Sequence, residues 1–260
     1  RADAHGRPGS WAVRLHPAGL LDGMSRRYLY ATKSASGCFP MSHGEHRNGA
    51  LNDRTMVSLL AEREIRLIID AAHPFAIGLH RTIARVAGTL SLPVIRLERD
   101  YRIDPELIDT PRVRFADSLA AAAGLLEIMK PRVVLAATGV QSVSVLRPYW
   151  TEHRMKVRIL PAERSYDLAI REGFPEEDII RKAPSCSQAE EEATYRLHGI
   201  DCLLCKESGS SGFLPVKLAA AKACGISAVI VRRPVLPATF RTVHSVAALR
   251  EALSDRGERP

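Results

Sequence analysis

The chain has 260 residues, 46% hydrophobic and 25% charged, with a formal net charge of +8 at pH 7, enough for one large α/β domain or two small ones. No apolar run approaches the roughly 18 residues a membrane span requires, and the basic N-terminus lacks the apolar stretch of a secretory signal, so a cytoplasmic protein without membrane contact is expected. Aromatics at 5% and a positive excess without any lysine run argue against nucleic acid, and leave an anionic small molecule or solubility alone to explain the charge.

Residues 1–26 are rich in Arg, Gly, His and Pro and give no convincing strand, so they form an atypical N-terminal segment. From there short apolar runs alternate with amphipathic stretches, the rhythm of a parallel sheet. Strands are expected at 27–32, 66–72, 92–98, 132–138, 156–160, 201–206 and 227–233. Most are unbroken apolar runs, as happens when helices cover both faces. Helices are expected at about 53–64, 75–90, 116–129, 140–153, 161–172, 187–198, 213–224 and 244–254. Asp53, Pro74 and Pro161 mark helix starts, and Gly225 closes the 213–224 helix. Dense charge and two prolines make 98–117 a linker. The expected domains are therefore 27–110 and 111–260.

Three strand ends carry candidate chemistry, because open α/β sheets bind ligands beyond the carboxyl ends of their strands. The first is "DAAHPFA" (70–76). His73 either caps the following helix or presents its ring to a ligand, and His is a poor cap beside Ser, Thr, Asp or Asn. Asp70 either orients His73 or is solvated at the sheet edge, and Pro74 presets the first helical turn. The second is "AATGVQS" (136–142), where Thr138 can cap a helix and Gly139 lets the backbone approach a ligand.

The third is "KESGSSGFLPVKLAAAK" (206–222). Lys206, a loop with Ser208, Gly209 and Gly212, and Lys217 in the following helix offer N–H groups, hydroxyls and ammonium groups to an anion. A plain glycine turn is the bland alternative. The spacing is not that of a Walker A loop, and no GxGxxG occurs.

Five cysteines, an odd number, argue against a disulfide framework. Cys202 and Cys205 lie three apart on an expected strand and so point to opposite faces. Core thiols rather than a metal site are expected there.

Taken together, "IDAAHPFA" with "HRTIARVAGTLSLPVIRLER", "ATGVQSVSVLRPYW" and "KESGSSGFLPVKLAAAKACGISAVIVRRP" give a sequence that resembles the precorrin-6A reductase family of corrin (vitamin B12) biosynthesis. Members of that family carry a DATHPFA-like turn, an R-x-E-R strand end and a K-x-SG…K…AA…RP segment. The likeness runs from about residue 20 to 234 and looks closest to the branch acting on the cobalt-containing intermediate.

The resemblance implies two Rossmann-like halves with mostly parallel sheets and a ligand cleft between them. It also implies a reduction of one macrocycle double bond by NADPH or NADH, with no resident metal. Arg96, Arg99, Arg232 and Arg233 at strand ends suit the carboxylates of a tetrapyrrole, because the guanidinium fork binds a carboxylate bidentately. His73 or water would supply the proton. The family opens on a strand ending in a GGT-E-like loop, and "YLYATKSASG" here is similar to the family's second strand with no GGT before it. A missing or replaced first strand is therefore expected. It makes a non-catalytic remnant that binds tetrapyrrole but not cofactor one alternative; a reductase of another polyanion is the other.

Overall fold

The computed structural model describes residues 17–24, 26–33, 41–98 and 103–255. In chain order its strands are β1 (Tyr28–Thr32), β2 (Gly44–Asn48), β3 (Ile68–Asp70), β4 (Val94–Leu97), β5 (Val113–Ala116), β6 (Val134–Ala136), β7 (Met155–Ile159), β8 (Ile179–Arg181), β9 (Cys202–Lys206), β10 (Ser227–Val231) and β11 (Arg241–Val243). The chain divides into two compact units, Arg1–Asp100 with Val235–Pro260, and Tyr101–Pro234.

In the first unit β3, β4 and β11 form a parallel sheet in the order β11-β4-β3, and β1 pairs in parallel with β2. All four residues of β4 are buried, as a central strand requires. The helix Asp53–Glu62 starts with a capping box. Asn52 accepts from the Thr55 amide at 2.9 Å, and Thr55 Oγ1 accepts from the Asn52 amide at 3.0 Å. The cap is thus Asn52. Asp53 sits in the first turn, where Arg85 holds it through two 2.7 Å contacts.

Residues 235–255 do not stay with the second half, where the sequence reading puts them. β11 aligns Val243 with Leu97 of β4. Leu249, Ala252 and Leu253 of the helix Val246–Ser254 pack with Leu20, Ile95 and Leu97. The physical reason is burial: this apolar stripe covers one face of the short first sheet. The atypical segment 1–26 contributes the helix Pro17–Gly23; residues 1–16, where the family's first strand would fall, lie outside the described residues.

The second unit is a six-stranded parallel sheet in the order β5-β10-β9-β6-β7-β8. β5 lies inside the stretch read as a linker. Its "VRFA" alternates in burial as an edge strand does, so a charged residue interrupts the apolar run. β2 is polar and β8 is only three residues long, so neither stands out as an apolar run in the sequence. The expected helix at 140–153 is instead a 3-10 turn at Val140–Ser142 and one helical turn at Arg147–Trp150. Gly139 at φ +84° opens the 3-10 turn, and Pro148 stands in the first turn of the short helix, where its missing N–H costs nothing. Among the described residues no helix is long and apolar enough to cross a membrane.

Candidate functional site

In the first unit the carboxyl end of β3 is built around Asp70, 2% exposed. Its carboxylate takes His80 Nδ1 at 2.7 Å, Arg96 Nη1 at 3.1 Å and the Ala72 amide at 3.0 Å. Arg96, on β4 and 1% exposed, also reaches Glu98 with two nitrogens at 2.7 and 2.9 Å and donates to the Ala72 carbonyl at 2.8 Å. His80 Nε2 donates to the His73 carbonyl at 3.2 Å, since a carbonyl only accepts. Two carboxylates, a guanidinium and an imidazole therefore tie the turn 70–76 to the helix behind it.

Burial alone would push the Asp70 carboxyl up, but the hydrogen bond from His80 and the charge of Arg96 outweigh it and hold it below its ordinary value of 3.8. A lowered carboxyl contributes stability that is complete above that ordinary value and is lost as pH falls through the lowered one. The expected outcome is that acid weakens amide protection of β3 and β4 in this pH range. Asp70→Asn flattens that part of the profile, as hydrogen exchange across an acid series would measure.

His73 is exposed and does not cap the helix Ile77–Leu90, whose first flanking residue is Ala76 without a side-chain cap bond. The His73 carbonyl accepts from the Ala76 amide at 2.8 Å, and Pro74 lies inside this turn rather than in the helix. His73 Nδ1 accepts from the Phe75 amide at 3.2 Å. The neutral ring thus carries its proton on Nε2. Arg96 is the clearest correction: its fork is spent inside the protein on Asp70 and Glu98. Arg99 lies outside the described residues.

In the second unit three neighbouring strands, β6, β9 and β10, deliver three loops to one carboxyl edge. Lys206 Nζ donates to the Thr138 carbonyl at 2.7 Å, joining the loop after β9 to the loop after β6. The Glu207 amide donates to Val231 at 2.8 Å, and Arg233 returns its amide and Nε to Glu207 at 2.8 and 3.0 Å. Thr138 does not cap a helix. Its hydroxyl meets Ser142 Oγ at 2.5 Å, and Ser142 in turn donates to the Gly139 carbonyl at 2.6 Å. Gly139 stands at φ +84° with nothing within 4 Å of where a Cβ would be, an open backbone of the kind a ligand can approach.

The loop after β9 turns at Gly209, φ +70°, and enters the helix Leu214–Ala223 through Phe213, a non-glycine residue at φ +50°. Gly212 packs so tightly on Ser208 that an added Cβ would lie 2.7 Å from Ser208 Cβ and overlap its hydroxyl. Gly212→Ala is therefore expected to cost about 1–3 kcal/mol, as overpacking does, and to weaken ligand binding. Adding Ser208→Gly should recover the stability. Unfolding midpoints of the two variants would show it.

The side chain of Lys206 is half-buried, and burial lowers the pKa of its ammonium. Arg232 is exposed, stacks 4.9 Å above Phe115 and pairs with Asp117 at 2.9 Å. Lys217, in the first turn of the helix that follows the loop, is 5% exposed. Cys202 and Cys205 are both fully buried, and burial pushes their thiols up to about 12 and about 11. Sequence reasoning missed His80 and Glu98. Glu98 stands two residues from Arg96 on the same strand and His80 ten from Asp70 across a turn, and only the fold shows that they meet.

Residues 16–254 match the model of the family described as Precorrin-6x reductase CbiJ/CobK. A Cobalt-precorrin-6A reductase of Methanothermobacter thermautotrophicus is 31% identical over 187 residues, covering 72% of this chain and 60% of that protein. A Precorrin-6A reductase of Rhodococcus erythropolis is 33% identical over 184 residues, 69% of this chain and 68% of that one. A Cobalt-precorrin-6A reductase of Salmonella typhimurium is 27% identical and covers 81% and 80%. Among solved structures, CobK precorrin-6A reductase superposes with a TM-score of 0.72 at 20% identity, covering 97% of this chain and 96% of that one. That likeness concerns the fold.

Proposed function

The chain belongs to the precorrin-6x reductase family, and from that premise we propose that it reduces one double bond of the precorrin-6A macrocycle, or of its cobalt-containing form, in cobalamin biosynthesis. The reductant is NADPH or NADH and the compartment is the cytoplasm. One observation carries the reading at the level of the site: the adjoining loops of β6, β9 and β10, locked by the Lys206–Thr138 bond, with Gly139 open above them.

The residues fit a large anionic cofactor and a polycarboxylate. Backbone at Gly139 and Gly209 lies in conformations that leave no side chain in the way. Lys206 adds a cation beside that backbone, and Ser208 a hydroxyl. Arg232 and Arg233 at the end of β10 suit substrate carboxylates. The reduced nicotinamide supplies the hydride when bound. The chain's own part is to hold two flat molecules in register, which converts a bimolecular step into a unimolecular one. In the first unit His73 presents Nε2–H, and the network of Asp70, His80 and Arg96 keeps its turn in place. His73 is the proton donor in this reading. A remnant without cofactor, or a reductase of another polyanion, draws no support from these relatives, each of which is named as a reductase of this macrocycle.

The test is a titration with NADPH and NADH followed by nicotinamide fluorescence, then turnover with the macrocycle. Saturable binding of one of them and loss of reduced nicotinamide on adding the macrocycle are expected. Saturable binding of the macrocycle alone, with neither nicotinamide bound, would overturn the proposal in favour of the remnant.

A further inference from the structure

A second charged cluster lies on one face of the sheet of the second unit. Val157 of β7, Ala136 of β6 and Leu204 of β9 stand in one aligned row. The next residues, Arg158 and Cys205, therefore share a face. The helices Gln188–Leu197 and Leu214–Ala223 cover that face through Tyr195, Leu214 and Leu218. Into the same layer these helices send Glu191 and Lys217. Exposure is 4% for Arg158, 1% for Glu191 and 5% for Lys217.

The donors outnumber the acceptors. Arg158 Nη1 contacts both Glu191 oxygens at 2.7 and 2.8 Å. The Ser185 amide and the Tyr195 hydroxyl add 3.1 and 3.2 Å contacts to the same carboxylate. Glu191 is thus fully engaged. Burial pushes its carboxyl up, but the charge and hydrogen bond of Arg158 pull it lower overall. Arg158 Nη2 is buried and has no hydrogen-bond partner among the described residues. The Lys217 ammonium makes no hydrogen bond or ion pair among the described residues, while it interacts electrostatically with Arg158 and Glu191.

Two cations thus face one carboxylate. Orphaned buried N–H groups carry a desolvation penalty unless something accepts from them. A carboxylate or phosphate oxygen both accepts several such bonds and balances the surplus charge.

We propose that Arg158 and Lys217 form an oxyanion pocket between the sheet face at β7 and β9 and the two helices that cover it, and that this pocket takes a carboxylate or phosphate group. The pocket stands on these contacts alone. Assigning it to the cofactor's phosphates or to the macrocycle's carboxylates rests on the reductase reading above.

Thermal unfolding of the full chain with inorganic phosphate or acetate tests the pocket first, in the wild type, Lys217→Met and Arg158→Lys. Both anions should raise the wild-type midpoint, with a shift that grows logarithmically once the concentration exceeds the dissociation constant. Lys217→Met should match or exceed the wild-type midpoint without anion, because a buried uncompensated charge has been removed. Its response to anion should weaken about tenfold or more. Arg158→Lys keeps the charge and deletes Nη2, so it should weaken the response too.

NADPH and uroporphyrin, a porphyrin whose anionic groups are all carboxylates, then separate the sources. Protection by one of them that Lys217→Met abolishes assigns the pocket to that ligand. Protection by simple anions alone keeps the pocket and removes it from the reductase reading. Equal responses in all three proteins, or a Lys217→Met that unfolds far below the wild type, would overturn the pocket.

Discussion

Arg96→Met is expected to lower the stability of the first unit by about 3–5 kcal/mol, the range for removing one partner of a buried charge pair. The loss is large because Arg96 serves two carboxylates, Asp70 at 3.1 Å and Glu98 at 2.7 Å, with only 1% of its own side chain exposed. Methionine fills much of the space, so the effect reads the charge rather than a cavity. Arg85→Met is the control. Its pair with Asp53 is about half exposed on both sides, and such pairs contribute about 1 kcal/mol or less. Hydrogen exchange at β3 and β4 amides would measure both variants, and equal losses would show that the buried network carries no special share.

Lys206→Met is expected to weaken binding of the anionic ligand by about 1.5–3 kcal/mol, the range for a hydrogen bond to a charged group, which is about ten- to a hundredfold. Folding should change by about 1 kcal/mol or less, because the lost bond to the Thr138 carbonyl is offset by the relief of burying an ammonium. Two dependences distinguish this from a packing defect. The difference between wild type and variant should shrink as salt rises, through screening of a half-exposed charge. It should also shrink as pH rises, and sooner than for an ordinary lysine near 10.5, since burial has lowered the value at which Lys206 loses its proton. Titrations at two salt concentrations and across alkaline pH would measure both.

How far the sequence discloses this molecule depends on the range of the interaction. The central strands are legible because burial on both faces leaves unbroken apolar runs, as in "DCLLCK", which becomes β9. The edge strand β5 keeps one side in water and reads as part of a linker, and β8, three residues long, is too short to stand out. The return of β11 to β4 is invisible locally, because nothing in "RTV" encodes a partner about 145 residues earlier.

At the site, glycine positions are legible. Gly139 and Gly209 need φ above zero, which other residues adopt at a cost. Charge is not legible in the same way. Arg96 and Arg232 look alike in sequence as strand-end arginines, yet one is 1% exposed and saturated while the other is open to solvent. His80 escapes notice for the same reason: its partner Asp70 stands ten residues away, across a turn.

The central claim, that this chain moves a hydride onto a macrocycle carbon, is tested most directly with reductant deuterated at the transferring position of the nicotinamide. Incubation with precorrin-6A, or with its cobalt form, should place that deuterium on the product carbon, with the second hydrogen drawn from solvent through His73. His73→Asn should slow turnover while leaving the origin of the hydride unchanged. Product carrying only solvent hydrogen, or macrocycle recovered unreduced while nicotinamide stays reduced, would contradict the account.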